Sequence, residues 1–153
     1  MTEQLTAIRP AVAEDFEEIM SLAGYATRTD VVVLVAERGG SIRCAGVVDP
    51  AGCATEPLDP VIRIVDRADD ADLAGDLHPL VDALADAAAS LGAPRVVIGW
   101  DPMDAQGLRM LDTAGFRPTG ANPYFELGPD QVEYVTGYRD PTGSTVDLAR
   151  ELG

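Results

Sequence analysis

The chain has 153 residues, 46% hydrophobic and 24% charged, and carries a formal net charge of −15. That length fits one domain that buries roughly two-thirds of its unfolded surface around a single core. The composition excludes a disordered chain, and no apolar stretch nears the roughly 20 residues of a bilayer span. Such acidity opposes binding to nucleic acid or to an anionic membrane, and attracts a basic partner.

All 11 cationic residues are Arg, a bias that fits a GC-rich genome, actinobacterial or haloarchaeal, better than a functional demand. No basic start followed by an apolar run opens the chain, so the expected location is cytoplasmic. Cys44 and Cys53 are too few for a disulfide scaffold and match no metal knuckle, and both read as reduced thiols.

Ile8-Arg9-Pro10 ends a first strand. Ala13 to Ala23 carries Phe16, Ile19, Met20 and Ala23 at helical spacing, with Glu14, Asp15, Glu17 and Glu18 crowding its first turns and Gly24 closing it. Val31 to Glu37 is β-branched and apolar, Gly39-Gly40 is a hairpin turn, and Ser41 to Val48 is the return strand. Pro50 to Pro60 is a loop, and Val61 to Asp66 alternates as the next strand. After an acidic loop, Arg67 to Asp76, a helix to about Leu91 buries Leu77, Leu80, Val81, Leu84, Ala88 and Leu91. Arg95 to Trp100 is a nearly continuous apolar strand, which implies cover on both faces. Ala105 to Thr113 is a helix facing inward with Leu108 and Leu111. Asn122 to Leu127 and Gln131 to Arg139 read as an antiparallel pair joined across Gly128-Pro129-Asp130.

The order β, α, β, β, β, α, β, α, β, β predicts an α/β chain of the mixed α+β kind, a mixed sheet with helices on both faces. Residues 1–140 form one domain, and 141–153 read as a tail or short closing helix.

This order, the opening IRPAVAEDFEEI, the phrase VVVLVAERGGSIRCAGVV, and VVIGWDPMDAQGLRMLDTAGFRPTG with its Ala114-Gly115-Phe116 turn resemble the GNAT acyltransferase superfamily over roughly residues 8 to 139. The resemblance implies a central mixed β-sheet whose two middle strands, Val61 to Asp66 and Arg95 to Trp100, splay apart to admit acetyl-coenzyme A. It implies cofactor binding along Ile64 and Val65 and over Gly75, and transfer of the acyl group to a small-molecule amine. Pyrophosphate would sit on amides at the start of the following helix.

Against that pattern the sequence departs in three places. The family's phosphate loop, Gln/Arg-x-x-Gly-x-Gly/Ala, falls on Asp72-Leu73-Ala74-Gly75-Asp76-Leu77. Gly75 is kept, but Asp72 replaces the basic or amide residue, and Leu77 brings bulk expected to hinder close approach. Asp69, Asp70 and Asp76 add charge that should repel a diphosphate by roughly 1 to 3 kcal/mol per pair at ~5 Å. Leu111 stands where many members place a tyrosine that protonates the leaving thiolate, Asp104 where Asn is frequent, and Gly107 where Ala is frequent. Only Gly24 to Asp30 separates the first helix from the next strand, where the family places a second helix walling the acceptor site. An acceptor site would then be shallow, or completed by a homodimer or another protein partner.

Other residues carry weaker signals. His78, the only histidine, opens a helix and is a candidate base, with capping as its plainer role. Trp100 ends the central strand, as core packing or as a stacking surface. Tyr124, Tyr134 and Tyr138 are candidate proton donors on the last strands, and Asp66 and Glu126 candidate bases for an amine. Asp70-x-Asp72-x-Ala74-Gly75 has the start of a calcium loop, but its closing glutamate position is Val81, so no metal is expected. No catalytic residue is assigned. Two functions follow: an N-acyltransferase of diverged or weak activity using acetyl-coenzyme A, or a non-catalytic module of the same fold that binds a protein partner or small molecule.

Overall fold

A computed structural model describes residues 5–50, 59–101, 103–118, 125–127, 133–135 and 146–152. Strand β1 (Ala7–Pro10) leads to helix α1 (Ala13–Glu18) and a 3-10 turn, Met20–Tyr25. Strands β2 (Val32–Arg38), β3 (Ser41–Asp49) and β4 (Val61–Arg67) follow. A π-helical turn, Leu73–Leu77, runs into α2 (His78–Ser90), then come β5 (Arg95–Trp100) and α3 (Ala105–Thr113). Short strands β6 (Arg117–Pro118), β7 (Phe125–Leu127) and β8 (Glu133–Val135) precede β9 (Val146–Glu151). Seven strands form one sheet in the order β1-β2-β3-β4-β5-β9-β6, while β7 pairs with β8 alone. Within the large sheet β4 and β5 run parallel and the other neighbours antiparallel.

The turns that fix this topology are written in glycine. Gly39 and Gly40 have φ of 61° and 80°, the two left-handed residues that a tight two-residue hairpin needs to match strand twist. Helices α2 and α3 end alike. Gly92 donates to Ala89 O at 2.9 Å and Ala93 to Ala88 O at 3.3 Å, while Gly115 donates to Asp112 O at 3.0 Å and Phe116 to Leu111 O at 2.9 Å. Both are Schellman closures, which require a left-handed residue after the cap. The Ala-Gly-Phe motif is thus a helix stop, and Phe116 follows it into the core, fully buried.

Strand alternation builds a core on each face. Cys44, Val48 and Ile62 point to the side covered by α2 and α3, where they meet Leu80, Leu84 and Phe116. Ala45 and Val47 point the other way with Val35, onto Leu22, Phe16 and Tyr25 of the first helical segment. Helices therefore cover both faces of the sheet, but β5 is buried on one only. Val96 and Ile98 enter the core under α2 and α3, whereas Val97 is half-buried and Gly99 exposed, contrary to the cover on both faces expected from its apolar run.

Three further expectations are corrected. The helix placed over Ala13 to Ala23 breaks at Ile19, whose backbone is extended at φ −107° and ψ 101°. Phe16, Ile19, Leu22 and Tyr25 all pack on the sheet, a spacing of three that suits 3-10 rather than α geometry. Met20 is left 89% exposed. Leu91, expected in the core, is 57% exposed because it caps α2. The closing segment is neither tail nor helix at 146–151. Val146, Ala149 and Leu152 have helical spacing, but β5 needs a neighbour on the edge away from β4, and β9 supplies six register pairs from Arg95↔Glu151 to Trp100↔Val146.

Of the expected hairpin, Phe125↔Val135 to Leu127↔Glu133 pair antiparallel; its other residues, with Tyr124, Tyr138 and Cys53, lie outside those described. No helix among the described residues is long and apolar enough to cross a membrane.

Candidate functional site at the splayed strands

Strands β4 and β5 are tied at one end and open at the other. They pair at Val61↔Val97 and Ile62↔Ile98 and no further. Below that pair Val97 donates to Pro60 O at 3.0 Å, and Arg95 Nε donates to the buried Asp59 at 2.8 Å. Above it, the register of β4 with β3 jumps from Gly46↔Ile64 to Ala45↔Asp66, leaving Val65 as an extra residue. Such a bulge bends its strand and raises its twist, which carries β4 away from β5. The opening is a cleft of about 350 Å³ lined by Ile64, Val65, Asp66, Arg67, Gly99 and Trp100. It lies at the carboxyl ends of two parallel strands, where ligands of α/β sheets collect.

The turn that follows β4 is closed by its own carboxylates. Asp72 caps it, accepting from the Ala74 amide at 3.2 Å, and its Oδ2 lies 2.8 Å from where a Cβ on Gly75 would start. Asp76 is fully buried. It accepts from Thr6 Oγ1 at 2.6 Å and from the Asp72 amide at 2.8 Å, and pairs with Arg38 Nη2 at 3.1 Å and Arg43 Nε at 3.7 Å. Burial alone would raise its pKa. The Thr6 hydroxyl, the Asp72 amide and the two guanidinium groups outweigh that and hold the carboxyl below the usual carboxylate range.

These contacts revise the electrostatics expected of the loop. Asp76 spends its charge inward, and Asp70 is bound to Arg43 at 2.5 Å. Asp69 and Asp72 remain as exposed carboxylates. Leu77 does not obstruct the turn, because the wide π-helical geometry directs it into the core, fully buried. What blocks the amides is the Asp72 side chain.

The opposite wall is built by Trp100, Asp104 and Gly107. Asp104 caps α3 by accepting the Gly107 amide at 3.0 Å, and its other oxygen accepts Trp100 Nε1 at 2.9 Å. The Gly107 amide, with help from the indole and the Arg67 charge, holds the Asp104 carboxyl below its ordinary range despite burial. A side chain on Gly107 would start inside the contact distance of the indole and of Asp104. Asp104 and Gly107 are thus coupled to Trp100, a connection that the sequence alone does not display.

The structure brings Ile64, Val65, Asp66 and Trp100 to one cleft, while Gly75 sits on the neighbouring turn, which packs against α3. Leu111 is fully buried in the core, so position 111 faces away from solvent. His78 is engaged elsewhere, its Nε2 lying 3.2 Å from Asp82, which also binds Arg150 at 3.0 Å. The side chains of Glu126 and Tyr134 lie outside those described. Sequence reasoning missed Arg67 as a cleft residue; its place just beyond the bulge follows from a register that a sequence does not display.

No protein-family model and no curated protein matches the chain. Solved structures match it over nearly its whole length. A GCN5-related N-acetyltransferase from Kribbella flavida superposes with a TM-score of 0.70 at 15% identity, covering 96% of this chain and 98% of that one. An N-acetyltransferase from Staphylococcus aureus Mu50 gives 0.69 at 15%, covering 97% and 99%. An acetyltransferase from Bacillus subtilis in complex with CoA gives 0.61 at 15%, covering 99% and 100%. At this identity the likeness establishes a shared fold.

Proposed function

With the GNAT fold as premise, we propose that this chain is a weak N-acyltransferase that receives an acyl thioester in the β4–β5 cleft and delivers the acyl group to a primary amine. The observation that carries this reading is the cleft itself: pairing stops after Ile62↔Ile98, and the strand edges beyond it are not closed against each other. The backbone of Ile64 and Val65 suits the amide-bearing arm of a pantetheine chain, which binds as an added strand would. When bound, the thioester supplies the activated carbonyl. Asp66 lines the same cleft and suits an ammonium ion through charge. Rate would come mainly from holding the two reactants together, because Leu111 cannot move a proton.

On this reading the 3-10 turn Met20–Tyr25 stands where a second helix would wall the acceptor side. That short wall supports a second copy of the chain, or another protein, completing the site.

A second reading has its own observation. Asp72 seated on the Gly75 turn, with Leu111 in the core, favours a non-catalytic module that kept the scaffold and binds a small molecule or protein. Thiol release from acetyl-coenzyme A, followed over a panel of primary amines, separates the two. Slow, amine-dependent release is expected, with cofactor binding no tighter than high micromolar by calorimetry. Absence of release with every amine would leave the non-catalytic module.

A further inference from the structure

The two ends of the site disagree about a nucleotide-bearing thioester. The cleft, lined by Ile64, Val65, Gly99 and Trp100 with the opposite charges of Asp66 and Arg67, has room for an uncharged arm, whereas the turn that should cradle a diphosphate is occupied by a carboxylate of the chain itself. Asp72 Oδ1 takes the Ala74 amide and Oδ2 lies over Gly75. A second carboxylate, Asp76, takes the Asp72 amide from below. Asp104 does the same at the start of α3, taking the Gly107 amide. Both helices that follow the splayed strands thus have the positive ends of their dipoles answered internally.

We propose that the cleft selects an acyl-pantetheine thioester without a nucleotide diphosphate, with Asp72 as the residue that rejects the diphosphate. This rests on the thioester reading above and names its donor class. A diphosphate at the turn would meet the Asp72 carboxylate on the amides it needs, and an anion gains nothing from donors already taken. A pantetheine arm carries no charge and asks only for strand-edge amides and carbonyls. Of the neighbouring aspartates, Asp76 is buried against Arg38 and Arg43 and the exposed Asp70 is paired with Arg43, which leaves Asp69 as a further exposed charge beside Asp72.

The test compares three probes by calorimetry at physiological salt, where charges beyond about 8 Å are screened: S-acetylpantetheine, its 4′-phosphate, and acetyl-coenzyme A. In the native chain S-acetylpantetheine should bind about tenfold more tightly than acetyl-coenzyme A, a difference of about 1.4 kcal/mol. Asp72→Asn keeps a capping side chain of equal rank and removes one charge. It should raise affinity for acetyl-coenzyme A and the 4′-phosphate by about tenfold, as for a unit charge close to the ligand, and leave S-acetylpantetheine unchanged. Asp86→Asn, an exposed change on α2, should move none of the three. Acetyl-coenzyme A binding more tightly than S-acetylpantetheine would overturn the proposal while leaving the thioester reading intact. An equal gain in Asp86→Asn would also overturn it, by showing the effect to be general charge. If none of the probes binds, both readings fall.

Discussion

The indole N–H of Trp100 and the carboxylate of Asp104 are joined at 2.9 Å, and the same carboxylate starts α3 through the Gly107 amide. One aspartate therefore fixes the end of a strand and the beginning of the next helix. The indole lies across the backbone of Gly107, where no side chain fits.

This arrangement reverses an ordinary rule. Gly→Ala inside a helix normally gains about 1 kcal/mol. Gly107→Ala should instead lose about 1–3 kcal/mol, the range for forcing an extra group into a packed site. In a Trp100→Ala background the same change should cost less, only the Asp104 contact remaining. Urea midpoints of the four chains give the cycle, and a Gly107→Ala gain in the native background would disprove the contact.

Leu111 gives a second expectation. Its side chain is fully buried beside the Schellman closure that ends in Phe116. Leu111→Tyr should cost about 1–3 kcal/mol by overpacking, with a further penalty if the hydroxyl finds no partner. It should not accelerate thiol release from any thioester. Faster release would show that position 111 reaches the reacting groups.

Acid should unfold the chain by a definite route. The Arg9 bond holds Asp15 below its ordinary value of 3.8, and Asp76 and Asp104 are lowered by the contacts given above. Each releases its proton at lower pH when folded, so the unfolded chain binds more protons as the medium turns acidic. Their stabilisation is complete above the unfolded value of 3.8 and drains away as pH falls through the lower folded values. Asp76→Asn removes one such group and leaves a single acceptor oxygen among several donors. It should cost about 2–3 kcal/mol at pH 7, near the low end for a broken buried pair because Arg38 and Arg43 keep some solvent. Its urea midpoint should also fall less steeply below about pH 4 than that of the native chain. Parallel slopes would remove Asp76 from the acid response.

Cys44 tests burial independently. Loss of solvent, then the nearby Asp76 charge, pushes its thiol up to about 12, and it donates to the Asp76 carbonyl at 3.6 Å. Iodoacetamide at pH 8 should leave the Cys44 peptide unmodified in the native chain and alkylate it in urea, as read by peptide mass mapping. Rapid native labelling at Cys44 would contradict the core on that face.

Much of the fold was legible because short-range chemistry wrote it. Gly39-Gly40 admits one tight hairpin and Gly115 stops a helix, while the nearly continuous apolar run of Arg95–Trp100 marks a strand, though one buried on a single face. What stayed hidden depends on neighbours distant in sequence. The bulge at Val65 exists only against β3, Asp76 turns inward only because Thr6, Arg38 and Arg43 arrive from three other segments, and Val-Asp-Leu-Ala-Arg-Glu becomes a strand only beside β5. Of the cleft, Ile64 and Val65 were named through the family resemblance and Trp100 from its place at the strand end, and all three line it. The role of Asp72 as an occupant of the turn depends on its side chain folding back over Ala74 and Gly75, which no sequence pattern announces.

The insertion of β9 between β5 and β6 has a consequence for synthesis. Residues 95–100 leave the ribosome about fifty residues before their partner at 146–151, so one bank of the cleft is born as a bare sheet edge. Until that later strand docks, the nascent chain exposes the edge of β5 to any passing strand, and competence to hold a ligand waits for its arrival.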